Sequence, residues 1–246
     1  MSAEIQAVVF DMGDTLVEFP PFEELIPAGF EYAYDQISSA LPLDGIQRPE
    51  FVSALMEEET LAWKRLGKSP SNECLGAVIT RVLDNLGVGQ GADLARAIED
   101  AFYEHVWPTP TPVADASSTL RELQRLGIRL ALISNTLWQS RTHERHLERD
   151  GLLHYFEHRA FSSSKPWAKP HPSIFLETLT LLGVSPQRAI FVGDRPPDDI
   201  KGALDVGMFA VLKHSKHSDL AGPKPHAEIS SLSEIVNLVL DPSGLK

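Results

Sequence analysis

Four short runs of apolar residues, each closed by a residue able to do chemistry, constrain this chain more than any other feature. Ala7-Val8-Val9-Phe10 runs into Asp11, and Leu130-Ala131-Leu132-Ile133 into Ser134 and Asn135. Ala189-Ile190-Phe191-Val192 runs into Gly193 and Asp194, and Phe209-Ala210-Val211-Leu212 into Lys213. A strand that is apolar at every position is covered on both faces, the condition of a parallel sheet. Helical patterns separate the later runs: Ala116–Leu126 stopped by Gly127, a polar stretch over 138–149, Ser173–Leu182 stopped by Gly183, and Ile200–Val206 stopped by Gly207. A short strand is expected near Ala160-Phe161 and a last helix over 232–240. Such alternation predicts an α/β fold with a parallel sheet between helical layers. Ligands bind such sheets beyond the carboxyl ends of the strands. Asp11, Ser134 and Asp194 all stand there.

The first strand is followed by a different pattern. Helical periodicity dominates Phe22–Leu41, Pro49–Leu66, Asn72–Leu86 and Ala92–Val106. Breaks fall at Leu41-Pro42, Gly67-Lys68-Ser69-Pro70 and Gly87-Val88-Gly89. Trp107-Pro108-Thr109-Pro110-Thr111-Pro112 then reads as a stiff, extended hinge. Residues 18–109 therefore read as an α-helical insert, a lid over the strand ends, with 1–17 and 110–246 forming the sheet core. The alternative is that these helices complete the core.

Composition narrows the function. With 246 residues, 43% of them hydrophobic, the chain can bury a large core. A formal charge of -12 argues against nucleic acid as a partner. The single cysteine, Cys74, excludes a disulfide framework and fits a reducing, cytoplasmic setting. No apolar run is long enough to predict a membrane span, and no secretion leader is visible.

Four motifs occur in order: "FDMGDTL" at 10–16, "LISN" at 132–135, "KPWAKPHPSIF" at 165–175 and "FVGDRPPDDIKGA" at 191–203. Together they resemble the haloacid dehalogenase (HAD) superfamily of hydrolases, with the insert in the position of that family's helical C1 cap. The resemblance implies a Rossmann-like core with an inserted α-helical cap. It implies a cytoplasmic, magnesium-dependent phosphatase of a small phosphorylated metabolite. Asp11 is then the nucleophile and a metal ligand, with the Gly13 carbonyl and Asp194 as the other protein ligands. Ser134 would bond a phosphoryl oxygen. Lys169 would neutralise phosphoryl charge and hold Asp11 ionised, and Asp199 would orient Lys169 or a metal-bound water. Asp198 is the weaker neighbour. Thr15, Asn135 and Arg195 are expected on the substrate side, Thr15 also holding its turn through a local bond. Arg195 either touches a substrate anion or pairs with Asp198.

One departure matters. Phosphatases of this family carry a second aspartate two residues beyond the nucleophile, as general acid and base. Here that residue is Gly13. Glycine keeps a carbonyl for a metal but has no group to carry a proton. Substitutes to consider are Asp14, the glutamates 57–59 of the insert, or the substrate itself. Relatives without the second acid include phosphonate-cleaving enzymes, which use a cap lysine (Lys64 and Lys68 are candidates, read as surface residues), and dehalogenases, which use no metal. A catalytically weak ligand-binding protein on the same fold is the non-enzymatic alternative. His143, His146, His154 and His158 are read as solvated rather than metal-binding. Lys213, His214, Lys216 and His217 are read as a solvated loop at the sheet edge that holds Asp194. Of Trp63, Trp107, Trp138 and Trp167, all read as packing residues, Trp138 is the one expected near substrate.

Overall fold

The computed structural model describes residues 4–38, 45–68, 73–88, 91–106, 110–217, 219 and 221–244. Six strands form one parallel sheet: β1 (Ala7–Phe10), β4 (Arg129–Ser134), β5 (His158–Phe161), β6 (Ala189–Gly193), β7 (Phe209–Lys213) and β8 (Ala227–Ile229). Their order is β5-β4-β1-β6-β7-β8. β1 thus lies centrally, in register with β4 on one side and β6 on the other, Phe10 opposite both Leu132 and Val192. The ends of these three strands bring Asp11, Ser134 and Asp194 to one edge.

Alternation along the strands explains why the central strands are apolar at successive positions. Val8, Phe10, Leu130, Leu132, Ile190 and Val192 pack on one face with residues of α5 (Ala116–Arg125), α6 (Ser140–Arg149) and α9 (Glu234–Leu240). Val9, Ala131, Ile133, Ala189 and Phe191 face the other way, onto α7 (Pro172–Leu182) and α8 (Lys201–Asp205). Each face has its own apolar cluster, as a period of two requires.

The insert contributes α1 (Leu25–Ser38), α2 (Arg48–Arg65), α3 (Leu75–Asn85) and α4 (Gly91–His105). These pack around a third cluster centred on Phe30, Phe51, Leu55, Ile79, Leu83 and Phe102. Glu58 and Glu73 each bind both Arg65 and Arg81, at 2.6–2.9 Å, and so tie α2 to α3. The expected breaks at residues 41–42, 69–70 and 89 lie outside the described residues, as does the Trp107–Thr109 part of the expected hinge. The rest of that segment is not simply extended. Thr111–Pro112 (β3) pairs antiparallel with Val17–Glu18 (β2), a two-strand ribbon that periodicity is too short to reveal. The core also reaches into the insert. Leu137 and Trp138, from the loop after β4, are buried in the insert's own cluster. The Leu137 carbonyl accepts from the Leu75 amide at 2.7 Å, and the Tyr103 hydroxyl accepts from the Gln139 amide at 3.0 Å.

Candidate active site

The first strand ends in a tight turn. Met12 accepts from the amides of Leu16 and Val17, and Asp14 adopts a left-handed φ of 54°, which a short polar side chain tolerates better than most. The turn leaves Asp11 almost fully buried at the floor of a cavity of about 600 Å³ between sheet and insert. Gly13, Ser134, Asn135, Lys169, Asp194 and Arg195 share that cavity.

Lys169 is the hub. Its Nζ lies 2.5 Å from Asp11 Oδ1 and 2.6 Å from Asp199 Oδ1. Asn135 clamps its backbone from both sides, accepting from the Lys169 amide and donating to the Lys169 carbonyl, each at 2.9 Å. Asn135 lines the cavity, and its amide also aims the lysine. Lys165, the other lysine of the motif, pairs with Glu177. Asp199 is completely buried; its second oxygen accepts from the amides of Asp194 and Arg195, both at 3.0 Å. A Cβ at Gly193 would sit 2.4 Å from this carboxylate, so only glycine lets it tuck under the strand end. The wide helical turn at Pro196–Ile200 brings Asp199 back beneath Asp194. Arg195 lines the cavity and pairs with Asp198 at 2.7 Å.

Thr15 departs from expectation. It is fully buried, does not line the cavity, and its hydroxyl has no hydrogen-bond partner among the described residues. The sharp turn points it into the core.

The electrostatics are those of a crowded anionic site. Burial holds the Lys169 ammonium back, but Asp11 and Asp199 outweigh it and keep the lysine charged well above its usual range. Burial, opposed by Lys169, raises Asp11 to about 6. Burial, together with the charges of Asp11 and Asp199, raises Asp194 to about 8. One Asp194 oxygen accepts from Ser215 at 2.7 Å, while the other is buried without a partner among the described residues. Ligand atoms of Asp11, Asp194 and Asp199 lie within 4.8 Å of one another. A hard divalent cation fits this oxygen-only set: it would satisfy the bare oxygen and let the carboxylates ionise. Asp199, with both oxygens engaged, is a less suitable ligand than Asp11 and Asp194.

Several residues read as solvent-facing belong here. Lys213 is buried and donates to the Asp14 carbonyl at 3.1 Å. Ser215 holds Asp194, and His217 lines the cavity 3.2 Å from Asp14. The strand-end position of this loop was the available signal. His143 and His146 are buried, not solvated. Their helix is polar except for Leu147, but its inner face packs into the core. His143 stacks on Phe161, shares a 2.7 Å hydrogen bond with Thr136, and is held neutral by burial and by His146, at about 3. Trp138 and Trp63 both line the cavity, as do Lys64 and Lys68.

A family model, haloacid dehalogenase-like hydrolase, matches residues 5–207. A glyceraldehyde 3-phosphate phosphatase of Methanopyrus kandleri is 26% identical over 96% of this chain and 97% of that protein. The haloacid dehalogenase-like hydrolase domain-containing protein 3 of Bos taurus is 29% identical over 90% of this chain and 84% of that one. Among solved structures, a 2-haloacid dehalogenase from Pseudomonas syringae pv. Tomato superposes with a TM-score of 0.70 at 27% identity, covering 97% of this chain and 99% of that one. A HAD phosphatase from Thermococcus onnurineus gives 0.64 at 25% identity, covering 96% and 98%. With its parallel sheet, its strand-end carboxylates and this match across most of its length, the chain belongs to the haloacid dehalogenase-like hydrolases.

Proposed function

We propose that the chain is a magnesium-dependent phosphatase of a small phosphorylated metabolite, working through an aspartyl-phosphate at Asp11. The observation that carries this reading is Asp194: a buried carboxylate with one bare oxygen, raised to about 8, beside Asp11. Such a group calls for a cation, and a cation is what two anions, carboxylate and phosphoryl, need in order to meet. The relatives named as phosphatases support the same choice.

Magnesium, bound by Asp11, Asp194 and the Gly13 carbonyl, would screen the charge between nucleophile and phosphoryl group. An Asp11 oxygen bonds to phosphorus as the ester oxygen leaves with its electron pair and takes up a proton. Lys169, aimed by Asn135 and Asp199, balances the phosphoryl charge, and Ser134 donates to a phosphoryl oxygen. Water then attacks phosphorus and releases phosphate and the free Asp11 carboxylate. Gly13 supplies no proton to the first step, so leaving groups that depart without help react fastest. Residues 18–109 act as the cap, admitting substrate and then excluding bulk water.

The dehalogenase reading has two observations in its favour, the missing acid at Gly13 and the likeness to a 2-haloacid dehalogenase. It has no use for the bare Asp194 oxygen. Incubation with magnesium and an aryl phosphate, in parallel with 2-chloropropionate, separates the two. Magnesium-dependent release of the aryl alcohol is expected. Chloride release without phosphate release would replace the phosphatase with a dehalogenase.

A further inference from the structure

The cations of the cavity divide into two sets. On the core side each is already matched: Lys169 by Asp11 and Asp199, and Arg195 by Asp198. On the insert side, Lys64 at the end of α2 and Lys68 just beyond it line the same cavity, and neither has an acidic partner among the described residues. Glu59, the one acid of α2 on this wall, is turned to Trp63, whose indole donates to it at 2.7 Å; burial, opposed by that bond, raises it. Gly67, between the two lysines, fixes the loop against the core. A Cβ there would lie 2.7 Å from the Lys169 carbonyl, so the backbone itself is seated on the catalytic lysine's loop. The lysines are therefore presented by a docked segment and not by a free end.

We propose that the leaving group of the substrate carries a second anionic group, recognised by Lys64 and Lys68. The phosphatase reading supplies only the orientation, with the phosphoryl end at Asp11 and the leaving group toward the insert. Two ammonium groups at a cavity mouth act as point charges, which serve a carboxylate or a phosphate alike. In a chain of net charge -12 an anionic substrate gains little from the overall field, so local cations decide which anions enter.

The test is binding to the Asp11→Asn chain in magnesium, by calorimetry, so that it does not depend on turnover. Glycerol 3-phosphate carries no second anion, 3-phosphoglycerate adds a carboxylate, and propane-1,3-diol bisphosphate adds a phosphate. At least one of the two doubly anionic ligands is expected to bind about 3- to 10-fold tighter than glycerol 3-phosphate. The tighter arm identifies the group. That preference is expected to vanish in Lys64→Met and Lys68→Met, to survive in Lys68→Arg, and to shrink with salt. Equal affinity for all three ligands would overturn the proposal. So would an equal loss for all three in the methionine variants, since the lysines would then serve the phosphoryl group. Failure of the wild-type chain to turn over any phosphate ester would remove the phosphatase reading and leave this binding result standing or falling by itself.

Discussion

The sheet core and the helical insert treat charge in opposite ways. At the strand ends nearly every polar atom is committed: Lys169 to two carboxylates, Asp199 through both oxygens, Asn135 to the lysine's backbone, Asp194 to Ser215. Among the described residues the insert's ion pairs lie off the cavity wall: Glu58 and Glu73 hold Arg65 and Arg81 between α2 and α3, Arg48 pairs with Asp35, and Asp100 with Arg141. Toward the cavity the insert leaves Lys64 and Lys68 without an acidic partner among the described residues, and Trp63 43% exposed. A reaction centre needs a fixed geometry, so its side chains are held from several directions. A recognition wall needs only to present groups, and free groups are open to a ligand.

The sharpest way to break this contrast is at its most committed residue. Lys169→Met leaves Asp11 and Asp199 buried without their cation. Losses of about 3–5 kcal/mol in stability and about 10²–10³-fold in turnover are expected, read by denaturant unfolding and steady-state kinetics. Lys64→Met, on the opposite wall, should leave stability unchanged. Equal losses in the two variants would erase the distinction between the regions.

Gly13→Asp tests the core's missing part. A Cβ at Gly13 meets only the Phe19 ring, at 3.6 Å, so the side chain has room. Restoring the acid is expected to raise turnover of esters with poor leaving groups toward the 10²–10⁴-fold that such help is worth (about tenfold or more). Unchanged turnover in the folded variant would point to a substitute acid elsewhere.

The carboxylates make a pH-dependent claim. Asp11 and Asp194 hold their protons to about 6 and about 8 in the folded chain, against 3.8 as the ordinary value. The folded state therefore binds more protons than the unfolded one across that range, and metal-free stability falls as pH rises from about 4 to about 8. Lys169 stays charged throughout and does not reverse the sign. Magnesium displaces those protons, so its stabilisation should be larger at pH 8 than at pH 5.5, as a shift in thermal midpoint. An equal shift at both values would argue against Asp194 as a ligand.

The smallest expected effect distinguishes docking from strain in the insert. Gly67 and Gly87 share a φ of 75°, but a Cβ at Gly87 meets nothing within 4 Å. Alanine at either should cost about 1 kcal/mol of backbone strain. Only Gly67→Ala, which would collide with the Lys169 carbonyl, should also raise KM several-fold. A matching KM change in Gly87→Ala would remove the case for a seated loop.

Much of the core was legible because its physics is local. Four apolar runs predicted four of the six strands, a fifth was expected near Ala160-Phe161, and the residue after each of the first three runs predicted the site's edge. Gly183, with φ 62° at the end of α7, stopped its helix as expected. β8 was missed because Ala227-Glu228-Ile229 is three residues long with a polar centre. The ribbon of β2 and β3 has two residues a strand, below any period. The buried histidines escape a sequence reading because a helix with seven charged or histidine side chains among ten residues still has one inner face, fixed by tertiary packing alone. The loop of His217 reads as solvated in sequence because only the folded chain brings it, with Ser215, across Asp14 and Asp194. The cavity wall formed by α2 was the least legible part: amphipathic spacing predicts that α2 packs, but not which of its exposed residues face a cavity.

The central claim is that Asp11 bonds to phosphorus. Mass spectrometry of the magnesium-loaded chain, quenched in acid during turnover of an aryl phosphate, tests it directly. The account predicts phosphate on the peptide carrying Asp11, absent in Asp11→Asn. Turnover without that adduct, or turnover that survives in Asp11→Asn, would contradict it.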